Sequence, residues 1–399
     1  QTLSGAYSLA RSTVGQMAVR IALQCSETDS YLILSEDNAA ARLLSRPGEA
    51  IYNDANGMVE GNSPFQVAWL PDEDRAAALE RVRAKTLADA DRPASQQVVF
   101  EGNVPADLAR NALLARAASG VRPEGGLHAW LGEPVAIKDP TAGVLRRQAG
   151  GNLLLVAQQD RPVLAMMTAA AVGLCAQLCS IAGSRMWVID STPPDDPGAS
   201  MLRDAVERIA SAGGQRVRCV GTRDAADVIA EIDRARAERE DDPGQAPAAV
   251  VVIHGLQRLR TLRKKEDEFS FSFSGDDDGD AAAADPAAQL ASVLRDGASL
   301  GIHAVVSCDT ATNLSRTLDR ASVAAFEQRA VLQMSASDSS LLIDTPAAGK
   351  LGMHRGLLWN EELGTLEKFR PYEEPRGDVI ERIAEDAERG LRLRAGDGK

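Results

Sequence analysis

The chain has 399 residues, 44% of them hydrophobic and 25% charged, with a formal net charge of −13. That length and apolar content allow a sizeable core and two or three domains, and the acidic balance excludes a surface that is basic everywhere, leaving room only for a local basic stripe inside a ring or channel. No apolar run reaches the roughly 18 residues of a membrane span, no signal peptide is visible, and five cysteines without a CxxC pair point to reduced thiols in a cytoplasmic protein.

In chain order, short strands are expected at 19–25, 31–34 and 65–70, with a helical stretch over 37–44 between them. These elements are too few for an independent parallel sheet. The window 20–39 returns at 329–348 with a fixed offset of 309 and 8 identities, where chance gives roughly one or two. Residues 1–70 therefore read as the end of one module, and a second module follows. With no Met ahead of Gln1, the chain is expected to be part of a longer protein. Residues 71–126 read as a helical linker, with a helix over 72–91, and an entry strand at 97–100; a further strand is expected at 129–137. The second module, 127–372, alternates strands (152–156, 185–189, 216–220, 249–253, 302–307, 329–335) with helices (163–179, 224–239, 287–296). Near-continuous apolar strands between helices predict an α/β fold with a buried, mostly parallel sheet flanked by helices. Ligands in such sheets bind at the carboxyl ends of strands. The acidic, small-residue stretch around 266–286 is expected to be a mobile insertion, with a docking tail as the alternative. The charged end, 373–399, is expected to be a solvated helix.

A phosphate-binding loop would follow the strand at 152–156. It needs glycines that bring amides to the phosphates, a Lys for the β and γ oxygens, and a Ser or Thr for Mg²⁺. The eight positions are Ala157, Gln158, Gln159, Asp160, Arg161, Pro162, Val163 and Leu164. Pro162 lacks a donor amide, Val163 carries no charge and Leu164 no hydroxyl, while Asp160 repels phosphate. Arg161 alone is cationic, facing either a phosphate or solvent. The strand at 249–253 runs into His254 and Gly255 where a hydrolytic module ends in two carboxylates that hold Mg²⁺ and activate water. His254 reads as structural, or as a base or metal ligand lacking a second ligand at suitable spacing. Cys175 and Cys179, one turn apart, read as core packing over metal binding. No catalytic or metal-binding set emerges.

The helix and strand of 290–309, with Gly301-Ile302-His303, then Arg329, Asp338-Ser339, Ala347-Ala348-Gly349 and Leu351-Gly352, resemble the end of an FtsK/SpoIIIE/HerA-type motor domain. Arg20, Asp29-Ser30, Ala39-Ala40-Ala41, Leu43-Leu44 and Pro47-Gly48 occupy the same places in the first copy. The resemblance implies a RecA-like P-loop NTPase fold for the second module, preceded by an incomplete copy. It also implies a homo-oligomeric ring that translocates double-stranded DNA, with ATP and Mg²⁺ used by an intact motor module and none bound tightly in the second. Cys308-Asp309 stands where the family has Thr-Gln, which puts nucleotide coupling in doubt at a third place. By resemblance Arg20 and Arg329 lie near a subunit boundary; a salt-bridged Arg at a strand start is the plainer reading. Arg258, Arg260, Arg263, Lys264 and Lys265 are the candidates for DNA contact, against a solvated basic face. The alternative from another class is a type VII secretion-like ATPase whose degenerate module binds a protein substrate.

Overall fold

The computed structural model describes residues 16–88, 104–241, 244, 246–263 and 285–396. The chain divides into two compact units, 1–97 and 98–399. The expected strand at 97–100 lies outside the described residues, as does the insertion expected around 266–286 except for Asp285 and Pro286, which cap and begin a helix.

Unit 1 is built from β1 (Arg20–Leu23), α1 (Glu27–Ile33), β2 (Glu49–Asn53), β3 (Asn62–Gln66) and α2 (Asp72–Ala88), with a 3₁₀ turn at Ala40–Leu43. The strands form one antiparallel sheet in the order β1-β2-β3. Its core is small: Ala22, Leu34, Ala41 and Ile51. Residues 31–34, expected to be a strand, belong mostly to α1. A four-residue apolar run carries no periodicity of its own, and the helix start decides it: Ser26 Oγ accepts from the Asp29 amide at 3.1 Å, an N-cap that satisfies one orphan donor.

Unit 2 runs through α3 (Ala112–Ala118), β4 (Leu127–Pro134), β5 (Thr141–Leu145), β6 (Leu153–Val156), α4 (Asp160–Leu178), β7 (Arg185–Asp190), α5 (Met201–Gly213) and β8 (Arg216–Val220). It continues through α6 (Ala225–Ala237), β9 (Ala249–His254), α7 (Pro286–Asp296), β10 (Ile302–Cys308), α8 (Ala311–Thr317) and α9 (Arg320–Ala324). It ends with β11 (Gln328–Val331), α10 (Ala336–Ile343), β12 (Gly356–Asn360), β13 (Thr365–Pro371) and α11 (Gly377–Gly396). One ten-stranded sheet has the order β5-β4-β13-β12-β11-β6-β10-β9-β7-β8. The six strands from β11 to β8 are parallel, and β12, β13, β4 and β5 extend the sheet antiparallel.

The apolar runs of the parallel strands follow from burial on both faces. Leu153 and Leu155 enter a core shared with α3, α4, α5 and α11, while Leu154 and Val156 enter the opposite core with α6, α7, α8 and α10. Helix α4 is long and apolar enough by length and composition to cross a membrane, yet nearly all of it is buried within the fold. Gly173 lets α4 lie on the indole of Trp130, where a Cβ would stand 2.6 Å from a ring carbon. The charged end of the chain, expected to be solvated, is instead amphipathic. Val379, Ile380, Ile383, Ala384 and Ala387 on one face of α11 are buried in the first core, and Arg208 of α5 pairs with Glu381 at 2.6 Å on the rim.

Candidate nucleotide site

Strand β6 is buried along its whole length, and only Ala157, Gln158 and Gln159 separate it from α4. A phosphate loop needs a longer, open turn whose amides converge. Here the Ala157 amide donates to the Cys308 carbonyl at 3.1 Å and the Val163 amide to the Gln159 carbonyl at 3.2 Å. The helix begins at Asp160, with Gln159 as its N-cap. Val163 and Leu164, at the Lys and hydroxyl positions, are both buried in the core. Neither side chain offers a charge or a hydroxyl to a phosphate.

The amino end of α4 carries its own anion. Asp160 sits in the first turn, where a carboxylate complements the helix dipole, and it accepts from Arg258 at 2.9 Å. Arg161 is engaged as well, with Glu374 at 2.6 Å. Between Asp160, Leu164, Thr192, His254 and Arg258 remains a cavity of about 10 Å³. That is the room of roughly one water molecule, not of a triphosphate.

His254, at the end of β9, is buried and its Nδ1 is 3.0 Å from Ser307 Oγ. Ser307 Oγ also accepts from the Gly255 amide at 2.9 Å. Burial pushes the imidazole pKa down, against the opposing pull of Asp190. Asp190 lies beside it in register on β7, with Oδ1 accepting from the Thr192 amide and hydroxyl at 2.9 and 2.6 Å. Among the described residues, Asp190 Oδ2 and Ser191 Oγ have no hydrogen-bond partner, and no group of three His, Cys, Asp or Glu side chains forms a metal site. Cys175 and Cys179 are free thiols in the core.

A larger cavity, about 620 Å³, lies on the other side of the first turn of α4, at the ends of β11 and β13. Pro162, Leu332, Met353 and Tyr372 form its apolar wall, and Arg161, Arg355 and Glu374 stand at its polar side. Of the loop at 352–355 that contributes to it, the sequence singles out Gly352 alone, in Leu351-Gly352.

The remaining candidates separate. Arg329 is buried, donating from Nε to the Phe326 carbonyl and from Nη1 to the Leu342 carbonyl, both at 3.0 Å, and pairing with Glu361 at 2.7 Å. Arg20 repeats this in unit 1, with Nε donating to the Met17 carbonyl at 3.0 Å and Nη1 to the Ile33 carbonyl at 3.3 Å. Arg260 and Arg263 are exposed, and Arg263 donates to the Gln257 carbonyl at 3.3 Å. Lys264 and Lys265 lie outside the described residues.

No protein-family model and no curated protein matches the chain. Solved structures do. The chain is similar to Thermomonospora curvata EccC (ATPases 2 and 3) in complex with a signal sequence peptide, with a TM-score of 0.53 and 13% identity over 94% of this chain and 67% of that one. It is also similar to the cytoplasmic domain of the same organism's type VII secretion ATPase EccC, with a TM-score of 0.52 and 15% identity over 96% of this chain. The fold is that of P-loop ATPase domains. At that level the FtsK/HerA-like resemblance holds, and the chain spans 45% of the length of the EccC cytoplasmic domain.

Proposed function

We propose that unit 2 is a non-hydrolysing module of a cytoplasmic, ring-forming FtsK/HerA-like ATPase, in which an intact module elsewhere uses ATP and Mg²⁺. We further propose that it binds a segment of a protein substrate in the cavity beside its closed loop. The observation that carries the reading is the closure of the phosphate position by the Asp160–Arg258 ion pair above Val163 and Leu164 in the core. A protein ligand is favoured over duplex DNA because Arg258, the candidate nearest the strand ends, is committed to Asp160. The adjoining cavity combines an apolar wall with a few polar groups, as peptide and small-ligand sites do. The similar EccC structure holds a signal sequence peptide.

The test is a set of titrations on the 399-residue chain. MgATP is expected to show no binding below about 1 mM and no turnover above background; ATP hydrolysis by this chain refutes the non-hydrolysing assignment. The signal sequence peptide bound by EccC serves as the probe for the cavity, and Met353→Asp, an exposed wall residue, is expected to weaken it at least about tenfold, or roughly 1.4 kcal/mol. Duplex binding at about 50 mM salt that falls steeply with salt, with a slope flattened by neutralising Arg260 and Arg263, would instead support the DNA translocase reading.

A further inference from the structure

At the amino ends of the parallel strands, the sheet edge opposite the closed loop, cations gather. Arg185 begins β7 and stands in register with Ala249 of β9, and Ile302 of β10 pairs with the same Ala249. Arg239, just past the end of α6, donates from Nη1 to the Leu300 carbonyl at 3.0 Å. Arg147, which follows β5, donates to the Ala246 carbonyl and, at 2.8 Å, to the Gly244 carbonyl. Its guanidinium lies so close against Gly301 that no side chain would fit there. His303, buried on β10, has Nδ1 2.8 Å from the Gly151 carbonyl.

The charges that act on this group are all positive. Burial, and then the nearness of Arg147 and Arg185, pushes the Arg239 pKa down to about 10. Burial, with Arg147 and Arg239, holds His303 down as well, and no carboxylate among the described residues acts on either side chain. Elsewhere in unit 2 the arginines at comparable depth meet an acid, as Arg258 meets Asp160 and Arg329 meets Glu361. Like charges held together cost free energy, and such groups concentrate where a ligand is bound. A cavity of about 510 Å³ opens at the same edge, lined by Arg122, Arg147 and His303 and by the apolar Leu127, Leu145 and Ile181.

We propose that Arg147, Arg185 and Arg239 form a binding site for a multivalent oxyanion of the phosphate type, whose negative charge offsets their mutual repulsion. Guanidinium groups match phosphate oxygens through paired N–H donors, and three cations call for a dianion rather than a single carboxylate. The anion is taken without a metal, since Mg²⁺ is repelled by the same guanidiniums; MgATP is therefore not the ligand. The phosphate is either the free ion or one carried on an organic body, which the apolar wall of the cavity would receive. This site lies at the other edge of the sheet from the closed loop and does not depend on the reading given for that loop.

Calorimetric titration of the 399-residue chain in EDTA tests the proposal, with inorganic phosphate and phenyl phosphate as the probes and sodium chloride matching the ionic strength of every sample. The parent is expected to bind at least one probe with a Kd of about 1 mM or tighter. Arg239→Gln and Arg185→Gln are each expected to weaken that binding at least about tenfold. Arg185 is exposed at the start of its strand, so its variant keeps the test open should Arg239→Gln fold poorly. Tighter binding of phenyl phosphate supports an organic phosphate as the ligand, and equal or tighter binding of inorganic phosphate supports the free ion. Absence of binding by either probe at about 10 mM overturns the proposal. Binding that both variants leave unchanged also overturns it, because the anion would then sit elsewhere.

Discussion

Replacing Arg329 by Ala separates a structural arginine from one that serves a subunit boundary. Its guanidinium donates to two carbonyls, those of Phe326 and Leu342, in a side chain buried against α10. Leu342 lies in the last turn of that helix, where carbonyls lack an intrahelical donor. A buried polar group left without a partner costs about 1–3 kcal/mol, so two give roughly 3 kcal/mol after partial hydration of the space vacated. The pair with Glu361, whose side chain is about half exposed, adds at most about 1 kcal/mol once solvent screening is allowed for. For a large unit each kcal/mol lowers Tm by about 2–4 °C, so about 3–4 kcal/mol predicts a fall of about 6–16 °C. Tryptophan fluorescence follows it, since Trp130, Trp187 and Trp359 lie in unit 2 and Trp69 is exposed in unit 1. Arg20→Ala, at a less buried side chain, should cost about 1 kcal/mol or less. An Arg329→Ala protein with Tm within about 2 °C of the parent and altered assembly would refute this reasoning and favour the boundary role.

Restoring a loop residue should not restore the site: Val163→Lys places an ammonium in the core and should destabilise the protein by more than about 3 kcal/mol without MgATP binding, and calorimetric nucleotide binding would contradict it. Burial pushes the His303 pKa down to about 4, opposed by the bond to the Gly151 carbonyl and reinforced by Arg147 and Arg239. A histidine depressed in the fold binds its proton more readily when unfolded. Its contribution is therefore intact above an unfolded pKa of about 6.5 and is lost as pH falls toward 4, by up to about 3 kcal/mol; urea melts at pH 7 and pH 5 should show a smaller drop for His303→Asn than for the parent. Gly173→Ala drives a methyl against Trp130 and should cost about 1–3 kcal/mol; an unchanged melt would mean that α4 can shift.

The parallel strands were legible because burial on both faces leaves continuous apolar runs such as Val250-Val251-Val252-Ile253, whereas β12 and β13 were not. The strand Thr365–Pro371 carries Glu367, Lys368 and Arg370 and becomes a strand through its neighbours, while Gly356–Asn360 is too short an apolar run to show a period of its own. The helix at 27–33 was decided by the Ser26 cap rather than by apolar spacing. The face of α11 was visible as apolar residues at 379, 380, 383, 384 and 387, but its charge drew it toward solvent in a reading from composition. At the site, the sequence shows directly that the eight residues after β6 include no glycine, lysine or hydroxyl side chain. The Asp160–Arg258 pair, 98 residues apart, and the His254–Ser307 bond between adjacent parallel strands have no local signal, because only sheet order brings them together.

The position of β6 also sets a timetable for synthesis. This strand, entirely apolar, finds its two hydrogen-bonded neighbours only in β10 and β11, whose residues follow about 150 or more positions later. At about 5–20 residues per second, the ribosome needs on the order of 8–30 s to deliver them. Throughout that interval Leu153–Val156 and the apolar length of α4 are on the nascent chain without the sheet that will enclose them. A polypeptide with this wiring depends on a holding chaperone, or on early collapse of α4 against β4 and α5, to reach its native state before aggregation claims it.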